Sequence, residues 1–309
     1  MEYVSTYWWA VLIMVIVLAL LFKLGLFNSF TLAAKAYPGA CSVYRPYGKG
    51  SIGLIRLEGV CDGEAPEYVV QFNGNGGAWS FSCAPAGTCV NFTPPFPDAP
   101  ICNFSFFIWS YDSGMGSLGQ LGFPIGTWFD GTSAVPSTPV LGGVVGMFNI
   151  TNTEGSADIE YNDTIIRYEY RNVSSRDQIL VQGQYEGKWI QTGMTVSNGV
   201  ATGYLNGAVS TPASPNVGCI RMLTGSVGIW DRNFNGYISN LQVYNTTLNA
   251  NQVLELYQEG IGGAPIQLQN LAGWWPLNGN ANDYSGNKGN GYVAIADFSG
   301  TYSQSFPLP

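Results

Sequence analysis

The chain has 309 residues, a net charge of -8 and no histidine, and 10% of its residues are charged, against roughly 25% in an ordinary globular protein. The acidic balance, with no Lys/Arg cluster to offset it, excludes nucleic acid as a partner, and 14% aromatic residues exclude a disordered chain. Without His the commonest general base is missing, which predicts a protein that is not an enzyme.

In chain order the first feature is an unbroken apolar run, Trp8 to Phe22, interrupted by Lys23 and resumed through Phe27. Tyr7 to Phe27 is 21 residues, about 31 Å as a helix, long enough to cross a bilayer. Being apolar on all sides, such a helix must lie in lipid or against copies of itself. A cleaved signal peptide is a third reading, with Ala34-Lys35-Ala36 as the cleavage site. The region before the run carries Glu2 and neither Lys nor Arg, the wrong sign for that role. Asn28 to Pro38 reads as helix exit and linker. The expected organisation is an assembly or transmembrane helix with linker over 1–36 and a β-sandwich head over 37–309.

All six cysteines (Cys41, Cys61, Cys83, Cys89, Cys102 and Cys219) follow that run, in a pattern without CxxC. Three disulfides in an oxidising, extracellular setting are expected. Of the 15 connectivities open to six Cys, we expect Cys41–Cys61, Cys83–Cys89 and Cys102–Cys219. Six Asn-x-Ser/Thr sequons, at Asn91, Asn103, Asn149, Asn162, Asn172 and Asn245, mark expected glycosylation sites.

Beyond the linker, short β-branched and aromatic runs alternate with Gly, Asn, Asp and Pro. Examples are 68–72, 104–109, 164–170 and 179–182. This predicts an antiparallel β-sandwich or jelly roll. Leu205-Asn206-Gly207 is a hairpin signal. One helix is expected after Asn249, which is followed three residues on by Gln252 and closed by Gly260. Val253, Leu256 and Tyr257 share a face, so this helix should lie on the sheet edge.

The opening stretch Met1-Glu2-Tyr3-Val4-Ser5-Thr6-Tyr7-Trp8-Trp9-Ala10-Val11-Leu12-Ile13 resembles the N-terminal signature of archaeal type IV pilin-like proteins. The resemblance implies processing by a prepilin peptidase and passage through the cell membrane. It then implies assembly with copies of the same chain into an extracellular filament used in adhesion. The implied filament core is Glu2, Tyr3, Tyr7, Trp8, Trp9, Leu12, Ile13, Ile16, Val17, Leu20 and Leu21. Glu2 would need a neighbour's terminal amine, because an unpaired buried carboxylate is costly.

The head resembles the laminin-G-like, concanavalin-A-like jelly roll over roughly 64–262. The residues concerned are Gly187-Lys188-Trp189, Gly203-Tyr204-Leu205-Asn206-Gly207, Phe234-Asn235-Gly236-Tyr237-Ile238 and Leu241-Gln242-Val243-Tyr244-Asn245. The phrase Trp274-Trp275-Pro276-Leu277-Asn278-Gly279-Asn280-Ala281-Asn282-Asp283, which opens such domains, here stands near the end. We expect the tail to complete the chain's own sandwich, donation to a neighbouring copy being the alternative.

For chemistry, Asp158 and Glu160 would share a strand face, but Glu154 is wrongly spaced for the E-x-D-x-E pattern of jelly-roll hydrolases. Sugar binding is the stronger reading: surface glycans as partners, with Trp230, Trp274 and Trp275 as contacts. That makes a membrane-anchored lectin or adhesin the alternative to the filament subunit. No organic cofactor is expected; calcium held by Asp231 or Asp283 is the one candidate.

Overall fold

A computed structural model describes residues 12–17, 35–48, 54–61, 65–73, 89–92, 100–113, 142–149, 156–161, 165–171, 176–182, 187–210, 220–221, 225–230, 235–294 and 297–301. The chain divides into two compact units, Met1–Lys35 and Ala36–Pro309. In the first, residues 12–17 are helical, and Ile13, Met14, Val15, Ile16 and Val17 are all exposed. The rest of the expected long helix, with Glu2, Tyr3, Tyr7, Trp8, Trp9, Leu20 and Leu21, lies outside the described residues. Among the described residues no helix is long and apolar enough to cross a membrane.

The second unit is an antiparallel β-sandwich built on an eight-stranded and a seven-stranded sheet. In the eight-stranded sheet, strand Asn103–Asp112 lies between Trp189–Ser197 and Asn235–Tyr244. Val200–Leu205 and Ala208–Val209 continue one side, Tyr68–Asn73 and Asp297–Thr301 the other, and Leu271–Trp275 also pairs with Asn235–Tyr244. Alternation along Asn103–Asp112 puts Phe104, Phe106 and Ile108 on one face and Ser105, Phe107 and Trp109 on the other. All six are buried, so this sheet is covered on both sides.

The cover on the Phe107 face is the late helix and the tail. Helix Ala250–Gln258 starts in a capping box in which Asn249 Oδ1 accepts from the Asn251 and Gln252 amides and Gln252 Oε1 accepts the Asn249 amide. Such a cap contributes about 1 kcal/mol. Val253 and Leu256 are buried with Phe107, Tyr204, Tyr244 and Trp274, and Tyr257 stacks on Trp109 at 5.6 Å. The helix therefore lies over the sheet's face, not along its edge as expected. Its apolar stripe needs a wide apolar floor, and the broad side chains Phe107 and Trp109 supply one.

Two Asn-Gly turns close the hairpins beside it, Asn198-Gly199 at φ 50° and 79° and Asn206-Gly207 at φ 50° and 76°. Both residues of each pair have positive φ, the geometry of the tightest hairpin turns.

The tail runs back onto the chain's own strands. Leu271–Trp275 pairs with Asn235–Tyr244, Gly291–Ala294 with Cys89–Phe92, and Asp297–Thr301 with Tyr68–Asn73. A bulge in Asn235–Tyr244 receives it, at Asn240, whose φ is 53°. Asn240 is buried. Its Oδ1 accepts from Trp274 Nε1 at 2.8 Å and Gln242 Nε2 at 3.1 Å, while its Nδ2 donates to Gly263 O at 2.9 Å. Tyr244 OH extends the network by donating to Gln242 Oε1 at 2.6 Å.

A disulfide hairpin, Cys41–Tyr44 against Arg56–Gly59, locks the tail from outside. Arg45 Nε donates to Ser285 O, and its Nη2 donates to Leu268 O and Leu271 O. Burial pushes this guanidinium's pKa down, and the nearby Asp283 carboxylate works against that push.

Candidate functional site on the seven-stranded sheet

The seven-stranded sheet runs in the order Arg176–Gln182, Ile165–Arg171, Ser156–Tyr161, Gly142–Asn149, Gly225–Trp230, Cys89–Phe92, Gly291–Ala294. Its register assigns each residue to a face. One row across the sheet reads Val293, Val90, Ile229, Val145, Ile159, Tyr168, Ile179. Seven apolar residues in line mark the face a sandwich buries.

The opposite face differs. Its central row reads Tyr292, Asn91, Gly228, Gly146, Asp158, Glu169, Gln178. Gly228 and Gly146 are directly cross-strand, so two adjacent positions in the middle of the polar face carry no Cβ. The next row on one side is Trp230, Val144, Glu160, Arg167; on the other it is Ser226, Phe148, Ser156, Arg171. Residues two apart on a strand are about 6.8 Å apart, so the flanking rows stand about 14 Å from one another. Asn91 and Asp158 sit three strand spacings apart, again about 14 Å. The register thus sets a glycine pair at the centre of this face, with Trp230 and Phe148 in the flanking rows and Asn91 and Asp158 as the pair's neighbours along its own row.

The register also defines the setting of the two carboxylates weighed for hydrolysis. Asp158 and Glu160 fall on one face, as alternation requires, with Glu169 opposite Asp158 and Arg167 opposite Glu160.

Trp230 falls in the row beside the glycine pair, whereas Trp274 and Trp275 do not belong to any surface. They are 2% and 0% exposed, and their indole N–H groups donate to Asn240 Oδ1 and Gly289 O. This corrects their assignment as sugar contacts: a strand that closes the core directs its large aromatic residues inward. Asp283, the other calcium candidate, lies in the loop that follows. Its Oδ1 accepts the Trp274 and Ser285 amides and its Oδ2 the Gly289 amide, so the carboxylate closes a loop. Asp231 lies outside the described residues. A cavity of about 40 Å³ beside the Cys41–Cys61 bridge is bounded by Ser239, Asn240 and Asn278. Their side chains are bonded within the chain, and its volume is far below the ~300 Å³ of a small ligand pocket.

Of the cysteines, Cys41 and Cys61 are joined, with Cα atoms 4.8 Å apart, and Cys102 is also disulfide-bonded. Cys83 and Cys219 lie outside the described residues, as does the Cys89 side chain; Cys102 follows Ile101 and Cys219 precedes Ile220, and those two isoleucines are strand partners. Among the sequons, Asn103 and Asn245 are exposed, and Asn91 and Asn149 are placed on strands. Asn162 and Asn172 lie outside the described residues.

The reading of single residues missed Gly146, Gly228 and Phe148. It also missed the exposed Tyr44 and Tyr47 of the disulfide hairpin and Tyr37 just before it; Arg56 lies over the Tyr44 ring at 5.3 Å.

No family model and no curated protein matches this chain. Solved structures do resemble it. One is a native heptameric SAP-like pentraxin from Limulus polyphemus, 13% identical over 65% of this chain and 85% of that one, with a TM-score of 0.41. Another is an inferred carbohydrate binding protein from Bacteroides ovatus, 10% identical over 85% and 69%, with a TM-score of 0.48. A third is the LG4-5 region of mouse laminin alpha1, 10% identical over 65% and 46%, with a TM-score of 0.38. At these identities the likeness concerns the fold, and the site stands on its own geometry.

Proposed function

We propose that the chain is a non-catalytic, cell-surface binding module of the lectin or adhesin class, taking carbohydrate at the glycine pair of its polar sheet face. The carrying observation is the cross-strand pair Gly146 and Gly228, flanked in register by Trp230 and Phe148. A sugar ring has an apolar C–H face that suits an aromatic flank and a rim of hydroxyls that suits Asn91, Asp158 and Ser226. The leading apolar segment tethers the module, and the disulfides and sequons fit an extracellular location.

A second reading, a subunit of a pilus-like filament, is favoured by a different observation. Ile13 through Val17 are five consecutive exposed apolar residues on a helix, from 46% to 62% exposed, and identical helices would cover them on every side. Leu12→Asp should then abolish assembly while the head stays folded, which electron microscopy of detergent-free preparations reads directly. Single particles that require detergent would refute the filament and leave the tethered lectin.

The binding reading is tested by a glycan array probed with the full chain, before and after removal of N-glycans, because Asn91 is itself a sequon beside the glycine pair. Selective retention of a sugar class, lost in Trp230→Ala, is the expected result. No retention by either preparation would refute it.

A further inference from the structure

Two of the sequons are built into one another. Asn103-Phe104-Ser105 begins the central strand Asn103–Asp112, and Asn245-Thr246-Thr247 follows the end of its neighbour Asn235–Tyr244, with Ser105 opposite Tyr244. Ser105 is 0% exposed; its Oγ donates to Thr246 O at 2.9 Å and accepts the Leu248 amide at 2.9 Å. Thr247 Oγ1 donates to Val196 O and lies 3.5 Å from Asn103 Oδ1. Asn103 Oδ1 also accepts the Asn198 amide at 2.9 Å, holding the Asn198-Gly199 turn. Both asparagines remain exposed.

N-glycosylation reads the hydroxyl two residues beyond the asparagine. In the folded chain both such hydroxyls, Ser105 Oγ and Thr247 Oγ1, are committed to backbone carbonyls. Freeing Ser105 means peeling the central strand from both of its neighbours. Phe104, Phe106, Phe107, Ile108 and Trp109 are at most 1% exposed, so that opening amounts to unfolding the sheet. The finished product raises no such conflict. The glycan bonds to Nδ2, so Asn103 Oδ1 keeps its acceptor role, and exposure at both asparagines leaves room outward.

We infer that Asn103 and Asn245 are glycan sites written on the chain before the sandwich closes, and that the folded protein is not a substrate there. The donor is a lipid-linked glycosyl phosphate. Its C1–O bond breaks, a C1–Nδ2 bond forms, the amide gives up one proton, and the lipid phosphate departs.

The test uses the full chain made in a host without N-glycosylation. One portion stays folded; another is denatured, reduced and alkylated so that it cannot refold. Each is incubated with an oligosaccharyltransferase and its lipid-linked donor, and occupancy is mapped by mass spectrometry of peptides. At least tenfold higher occupancy of Asn103 and Asn245 in the unfolded portion is expected. Equal occupancy in the folded portion, or none at these sites in the unfolded one, would overturn the inference.

Discussion

Asn240→Ala is the sharpest probe of how the tail is held. Two costs separate. At φ 53° an alanine is strained by about 1–2 kcal/mol. Removing Oδ1 also strips Trp274 Nε1 of its acceptor in a core where the indole is 2% exposed, and a buried orphan donor costs about 1–3 kcal/mol. Gln242 Nε2 retains Gly263 O at 3.3 Å, so no second orphan arises. The expected loss is about 2–5 kcal/mol for Asn240→Ala. Asn240→Gly keeps the backbone cheap and should lose only the orphan's ~1–3 kcal/mol. Trp274→Phe removes the donor itself, so adding Asn240→Gly to it should cost measurably less than in the wild type. Urea unfolding of wild type, Asn240→Gly, Trp274→Phe and the double variant gives the cycle, with Asn240→Ala measured beside them. The reasoning is refuted if Asn240→Gly matches wild type, or if Asn240→Ala costs no more than Asn240→Gly.

Three further outcomes are expected. Replacing Cys41 and Cys61 by Ser opens a bridge spanning 20 residues and should lower stability by about 3 kcal/mol, read as a shift in urea midpoint against the wild type. Arg45→Met removes the donor to three carbonyls and should raise amide exchange across 268–289 first, measured by hydrogen–deuterium exchange; unchanged protection there would show that the guanidinium does not hold the tail. Burial holds the Tyr244 hydroxyl well above the usual phenol range, so the folded form keeps the proton that the unfolded form loses above about pH 10. That stability is complete below about pH 10 and falls as pH rises, by about 1.4 kcal/mol per unit more in wild type than in Tyr244→Phe; parallel pH profiles would contradict the assignment.

Local chemistry was readable in the sequence wherever a short stretch decides the outcome. The capping box at Asn249 and Gln252, the Asn206-Gly207 turn and the strands through Tyr68 and Phe104 depend on neighbours a few residues away. The roles of Trp274, Trp275 and Asp283 were not readable, because an indole followed by turn residues looks the same on a surface and in a core. What accepts the Trp274 indole N–H in the core is Asn240 at the bulge, 34 positions earlier. The glycine pair was out of reach for the same reason on a larger scale. Gly146 and Gly228 are ordinary glycines in β-rich runs until the register sets them opposite each other, with Asn91 brought alongside from more than a hundred residues away.

Calorimetric titration of the array-selected sugar into wild type, Gly146→Leu/Gly228→Leu and Gln178→Leu tests the site most directly. Filling the glycine pair should abolish binding, or weaken it at least tenfold, while Gln178→Leu, three strands beyond Gly146 on the same face, should bind like wild type. Undiminished binding by the filled variant would contradict the account.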